Sequence, residues 1–266
     1  MDCRRSPRAR KLRECRPMER PTRHASLRRR SLPQRRRGRT MTHPILEGIK
    51  CIVFDIDDTL YLERDYAKSG FEVVGEWVDR ELRIGGFSEV AWQIFEAGTR
   101  QTIFNEALDA LDINYDLDMI KKMVQIYRSH EPQIELLPDA ADRLNQLAAH
   151  PANFQLAALT GGPLVCQKAK VRALELEETL NPIVYAQQWG PEFDKPHARA
   201  FEEIEKLTGF SGAECVYLAD NPHKDFIAPT QLGWRTVRVR RQGGLHEAQP
   251  NITPVDLTLS MLSDLI

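Results

Sequence analysis

Hydrophobic and polar positions change rhythm along the chain. Cys51-Ile-Val-Phe54 is a short apolar run rich in β-branched and aromatic residues, and it breaks into Asp55-Ile-Asp-Asp-Thr-Leu60. This predicts a buried strand running into an acidic loop. From about residue 64 to residue 137 the period lengthens. Phe71, Val74, Trp77 and Val78 recur at i, i+3, i+6 and i+7, and Ile103, Leu108, Leu111, Met119, Met123 and Ile126 continue the habit. A helical block is predicted there, ended by Glu131-Pro132 and Leu137-Pro138, because a residue before proline is pushed out of the helical region.

Beyond the helical block, strands alternate with helices. Phe154–Leu159 reads as a strand ending at Thr160-Gly-Gly-Pro163, followed by a helix over roughly 164–174. Ile183–Ala186 reads as a strand, with a loop to Lys195-Pro196 and a helix over about 198–207. Cys215–Ala219 is a strand ending in Asp220, then comes a short helix to about Leu232 and a strand over Arg235–Val239. Such alternation predicts βαβ units, hence an α/β fold with a parallel sheet and helices on both faces. Ligands of such sheets sit outside the carboxyl ends of the strands, where every polar cluster named above falls.

Composition divides the chain. The 266 residues carry a net charge of −1, but residues 1–40 hold fifteen Arg and one Lys against three acids, a net of +13. The remaining 226 residues hold 21 basic and 35 acidic side chains, a net of −14. The basic arm has few apolar residues and no periodicity, so disorder is expected over 1–40. An arm of this kind could neutralise nucleic-acid phosphates or target an organelle. It has neither a recognition motif beside it nor an amphipathic face, so the favoured reading is a dispensable extension before Met41, and a nucleic-acid partner is not expected. No apolar run approaches the roughly 20 residues that span a bilayer, so no membrane association is expected. Five scattered cysteines fit neither a disulfide framework nor a CxxC metal site and favour a reducing, cytoplasmic setting.

The candidate chemistry lies at the strand ends. Asp55, Asp57 and Asp58 follow the first strand, Thr160 the second, Lys195 a later loop, and Asp220 and Asp225 the strand at 215–219. Carboxylates gathered at one sheet edge raise each other's pKa, and burial adds to the cost. A divalent cation relieves it, and all-oxygen ligation without His or Cys selects Mg²⁺. Lys195 would add a compact positive charge, and an Asp can act as a nucleophile through an aspartyl-phosphate. A turn with Asx-type bonds would explain any one cluster, but not four in this order.

Phe54-Asp-Ile-Asp-Asp-Thr-Leu60, Thr160, Lys195-Pro196 and Leu218-Ala-Asp-Asn-Pro-His-Lys-Asp225 resemble the four ordered motifs of the haloacid dehalogenase superfamily, over about residues 47–241. The resemblance implies a doubly wound, Rossmann-like core over 41–62 and 138–266, with an α-helical cap inserted over 63–137. It implies Asp55 as the nucleophile attacking phosphorus, and Asp57 as the acid for the leaving oxygen and then the base for water. Thr160 and the Gly161 backbone would bind phosphoryl oxygens, and Lys195 would neutralise charge. Asp55, Asp220, Asp225 and the Asp57 carbonyl would surround Mg²⁺. In the family's dehalogenases the position two after the nucleophile is not Asp, so Asp57 favours phosphate ester chemistry, and its role calls for a raised pKa when substrate is bound. One departure stands out. Many relatives place Asn or Asp after the motif-two Thr, where this chain has Gly161-Gly162.

Several residues have plainer readings. Trp77 and Trp92 are expected in the helical core. Tyr61, Glu63, Tyr66 and Lys68 either line a substrate entrance or form a plain hinge. His197 reads as a helix start, His223 as a loop residue, and Asn251-Ile-Thr253 as a glycosylation pattern that a cytoplasmic chain never presents. The expectation is a Mg²⁺-dependent phosphatase of a small phosphorylated metabolite, its substrate open among phosphorylated sugars, phosphoglycolate and nucleotides. The alternatives are a sugar-phosphate mutase and a non-catalytic binding protein whose basic arm grips nucleic acid.

Overall fold

The computed structural model describes residues 43–265; the expectation of disorder over 1–40 lies outside the described residues. Six parallel strands form one sheet: β1 (Cys51–Phe54), β2 (Gln155–Thr160), β3 (Ile183–Tyr185), β4 (Cys215–Ala219), β5 (Arg235–Val239) and β6 (Leu257–Leu259), in the order β3-β2-β1-β4-β5-β6. The nucleophile candidate's strand is therefore central, with Phe54 in register with Ala158 of β2 on one side and Leu218 of β4 on the other. All four residues of β1 are fully buried, which is why it reads as a continuous apolar run rather than an alternating one.

Side chains still alternate between two cores. Ile52 and Phe54 pack with Leu156, Leu218 and Val237 beneath α5 (Pro138–Ala148) and α6 (Leu164–Ala173). Cys51 and Val53 face Ala157, Cys215 and Tyr217 beneath α7 (Arg199–Thr208). The short helix α8 (Ile227–Gln231) lies between β4 and β5 in the chain and adds Ala228 to the second core.

Between β1 and α5 the chain forms four helices: α1 (Glu63–Leu82), α2 (Phe87–Glu96), α3 (Ile103–Ala110) and α4 (Leu117–Ser129). They enclose a core of their own around Phe71, Val74, Val78, Ala91, Leu108 and Met123. Gly70 lets α1 meet α4 closely, because a Cβ there would run into the Tyr127 ring. Trp92 stacks on Phe95 at 5.3 Å and Trp77 packs against the same cluster, so both tryptophans serve the helical core. The chain leaves and re-enters the sheet at one place, where Leu137 N donates to Leu60 O at 2.9 Å.

The helical block differs from its periodicity in two ways. It breaks after Leu82, where Arg83 adopts φ 60° and the chain turns before α2, and residues 130–137 are not helical because His130, the residue after α4, turns extended at ψ 158°. Strand β6 goes unrecognised in the sequence because three residues, Leu-Thr-Leu, are too short to show a period. Among the described residues, no helix is long and apolar enough to cross a membrane.

Candidate active site

Parallel strands β1, β2 and β4 end at the same edge, and their next residues converge there. Asp55 follows β1, Thr160 closes β2, Asp220 follows β4, and Lys195 arrives from the loop after β3. Asp55, Lys195 and Asp220 line a cavity of about 210 Å³ together with Asp57, Gly161, Gln167, Lys170 and Asn221, whereas Thr160 is buried and does not line it.

The cavity floor is a buried acidic cluster. One carboxylate oxygen each from Asp55, Asp220 and Asp225 lies within 4.8 Å of the others. Lys195 Nζ reaches Asp55 Oδ1 at 2.9 Å and Asp225 Oδ1 at 2.7 Å, and it donates to the Tyr217 hydroxyl at 3.0 Å. Three carboxylates against one ammonium leave two negative charges in a buried site. The strain registers in the pKa values. Burial pushes Asp55 up to about 7 against the pull of Lys195, with Asp225 and Asp57 adding to the rise. Burial beside Asp225 and Asp55 lifts Asp220 well above the usual carboxylate range. A divalent cation on these oxygens would cancel the remaining charge, and the donor set fits one: only hard oxygen ligands, already grouped.

Asp57 belongs to a different arrangement. Its carboxylate is not among the three clustered oxygens. Lys170 Nζ donates to Oδ1 at 2.6 Å, the Tyr61 hydroxyl donates to the same oxygen, and Gln167 Nε2 donates to Oδ2 at 3.0 Å. Burial raises the Asp57 pKa, but the Lys170 charge and these three donors outweigh it and hold the group below the usual range. This direction is opposite to the raised value expected for an acid at this position. Gln167 also joins the two halves of the site, since its Oε1 accepts from Thr160 Oγ1 at 2.9 Å.

Asp58 does not face the cluster. It adopts φ 50° and accepts from Glu63 N at 2.8 Å and Leu245 N at 2.7 Å, which anchors the start of α1. Of the residues expected at the entrance, Glu63 and Tyr66 line the cavity, Tyr61 is buried behind Asp57, and Lys68 lies on an exposed groove elsewhere. His197 accepts from Arg199 N at the start of α7, and His223 bonds Gln249 at 2.9 Å. Gly161 sits where the departure from the resembling motif was noted. A Cβ at that position would collide with Asp194 Oδ1, and Asp194 instead accepts from Gly162 N at 3.2 Å, Lys195 N at 2.8 Å and Gln187 Nε2 at 2.7 Å.

The residues that sequence reasoning missed all brace the loops. Lys170 and Gln167 lie three apart on α6, and this i, i+3 spacing immediately after the strand bearing Thr160 was the available signal. Arg238 is fully buried in β5 and donates to Asp220 O at 3.1 Å and His246 O at 2.8 Å. Arg241 donates to Thr59 O at 2.8 Å and to Asp139. Lys170→Met is expected to destabilise the fold by about 1–3 kcal/mol, less than a fully enclosed pair because the Asp57 side chain keeps 17% of its exposure. Thermal denaturation checks it, and a midpoint within about 1 °C of wild type would count against the pairing as drawn.

Comparison with known proteins places this geometry in company. The family description "haloacid dehalogenase-like hydrolase" matches residues 49–233. A glyceraldehyde 3-phosphate phosphatase of Methanocaldococcus jannaschii is 26% identical over 228 residues, covering 82% of this chain and 96% of that one. A protein of the same name from Methanopyrus kandleri is 27% identical over 210 residues, covering 76% of this chain and 88% of its own. Among solved structures, the HAD-hydrolase YfnB of Bacillus subtilis, described as bound to magnesium, superposes with a TM-score of 0.56 at 19% identity. That match covers 82% of this chain and 96% of the other, and it speaks for the fold alone.

Proposed function

The chain belongs to the haloacid dehalogenase-like hydrolases, and from that premise we propose that it is a Mg²⁺-dependent phosphatase acting on a small phosphorylated metabolite through an aspartyl-phosphate at Asp55. The observation that carries the reading is the second carboxylate: Asp57 lines the same cavity as Asp55 yet stands apart from the acidic cluster, bonded to donors of its own. Two carboxylates in two environments suit two roles. The curated relatives, named as phosphatases of a three-carbon sugar phosphate, agree with the class.

In this reading the Asp55 carboxylate attacks phosphorus while Asp57, protonated at that stage, gives its proton to the departing alkoxide as the P–O bond breaks. Asp57, now a carboxylate, takes a proton from water, whose oxygen attacks phosphorus and releases inorganic phosphate and free Asp55. A carboxylate held by three donors suits the second step, in which Asp57 acts as a base. Lys170, Tyr61 and Gln167 hold the Asp57 carboxylate in one orientation, and Gln167 ties that orientation to Thr160, which would turn its hydroxyl to a phosphoryl oxygen. Lys195 and the Gly161 backbone would face the remaining phosphoryl charge. Asp55, Asp220, Asp225 and the Asp57 carbonyl would hold Mg²⁺, which supplies charge neutralisation for the phosphoryl oxygens when bound. Helices α1–α4 would serve as a cap that excludes water. Buried free Cys51, Cys166 and Cys215 fit a reducing, cytoplasmic setting.

Chelation tests the reading. EDTA treatment is expected to lower phosphate release from p-nitrophenyl phosphate by at least about a hundredfold, and added Mg²⁺ to restore it; undiminished release after chelation sinks the metal assignment. Asp57→Asn is expected to slow turnover by roughly 10²–10⁴-fold, read as steady-state phosphate release, and full retained activity would overturn its acid–base role.

A further inference from the structure

A second hollow lies beside the catalytic one and has no part in the chemistry above. The catalytic cavity of about 210 Å³ and a cavity of about 500 Å³ among the inserted helices share Glu63, Tyr127 and Arg128 as a common wall. Small-molecule sites ordinarily span ~300–1,000 Å³, a size the catalytic cavity reaches only together with its neighbour. The first has room for a phosphoryl group and only a few atoms beside it.

Its walls are specific in character. Phe71, Phe95, Phe104 and Tyr127 form a cluster of stacked and edge-on rings with centroids 5.7–6.2 Å apart. Ile120 and Val124 of α4 extend the apolar side, and Leu245, from the loop after β5, closes the cavity against the sheet domain. Polar groups are few: the Glu63 carboxylate, two guanidiniums, Arg100 and Arg128, and two amides, Gln101 and Asn105. Arg100 already lies over the Phe95 ring, 4.1 Å from its centroid.

We propose, resting on the phosphatase reading above, that this cavity receives the leaving group, and that the substrate class is a phosphomonoester whose alcohol carries a planar aromatic ring. Aromatic walls present both negative faces and positive edges, so a ring gains offset or edge-on contacts there that a short polyol does not. A guanidinium stacks on an aromatic face, and the two amides offer both donors and acceptors to ring heteroatoms. Glu63 stands in the shared wall, where its carboxylate is placed to accept from a hydroxyl of the substrate's alcohol. A triose would leave these apolar walls against water. A wall held in common with the catalytic cavity favours a substrate over a protein partner as the occupant.

The test compares kcat/KM for phosphate release by the full chain with Mg²⁺ on uridine 5′-monophosphate, pyridoxal 5′-phosphate and glyceraldehyde 3-phosphate. At least one ring-bearing ester is expected to exceed the triose phosphate by at least about tenfold. Ile120→Trp, which fills the cavity, is expected to lower that ring-to-triose ratio by at least about tenfold, mainly through KM; Val124→Phe is a gentler change in the same direction. Preference for the triose phosphate over both ring-bearing esters overturns the proposal. So does a ratio that neither folded variant moves, or a dimer in sedimentation that Ile120→Trp dissolves, which would make the cavity an interface between two copies. Absence of Asp55-dependent phosphate release from every ester is a different failure: it removes the phosphatase reading itself, whereas turnover with a triose preference removes only the ring assignment.

Discussion

Asp55→Asn is expected to lower phosphate release by at least about 10⁴-fold, because it removes the attacking oxygen and one carboxylate of the acidic cluster together. An amide oxygen is a poor nucleophile toward phosphorus, and the amide has no negative charge to share with Asp220 and Asp225 around a cation. The fold should survive. Asp55 is buried and pushed up to about 7 by that burial, so a neutral amide of equal size relieves a cost that the wild type carries. The variant should therefore melt no lower than wild type when metal is absent. Residual activity within about tenfold of wild type would move the nucleophile elsewhere.

Lys195→Met should show the largest loss of stability. The ammonium lies 2.9 Å from Asp55 and 2.7 Å from Asp225, with its side chain 1% exposed. Removing one partner from a buried pair costs about 3–5 kcal/mol, because the charge left behind has no water to return to. For a chain of this size that lowers the melting midpoint by roughly 10 °C. Asp55 can take up a proton instead, and this sets the sign with pH. A carboxyl whose folded pKa lies above its unfolded value makes the native state bind more protons, so stability falls as pH rises between the two values. Loss of Lys195 raises the folded value further, and the deficit against wild type should grow from acidic to alkaline pH. Mg²⁺ at about a hundred times its Kd would return about 2.7 kcal/mol. A midpoint within about 2 °C of wild type at alkaline pH without metal would show that Lys195 does not compensate the cluster.

What the sequence disclosed about this site depended on where each residue lies relative to its own strand. Asp55 and Asp220 were legible because each ends a run of fully buried apolar residues; a parallel strand covered on both faces advertises its end by the first charge after it. Asp57 was legible by its spacing from Asp55. Lys170 and Gln167 were not, because α6 mixes polar and apolar residues around its whole circumference, and a lysine on such a helix looks solvent-facing. Its burial arises only when α6 folds back over the end of β2. Arg238 was hidden for the opposite reason: a charge within an apolar strand reads as an edge position, whereas here it is fully buried and satisfied by loop carbonyls. The strand β6 and the breaks between α1, α2, α3 and α4 rest on short segments whose tertiary neighbours, not periodicity, decide them.

The exchange between Gly161 and Asp194 bears on how such a site can change over generations. The carboxylate fills the volume that a side chain at 161 would claim. A mutation adding Asn or Asp at 161 meets an occupied space, and one deleting Asp194 leaves the Gly162 and Lys195 amides without their acceptor. The two positions are therefore coupled: a side chain at 161 requires the Asp194 carboxylate to move, and that movement costs the Gly162 and Lys195 amides their acceptor.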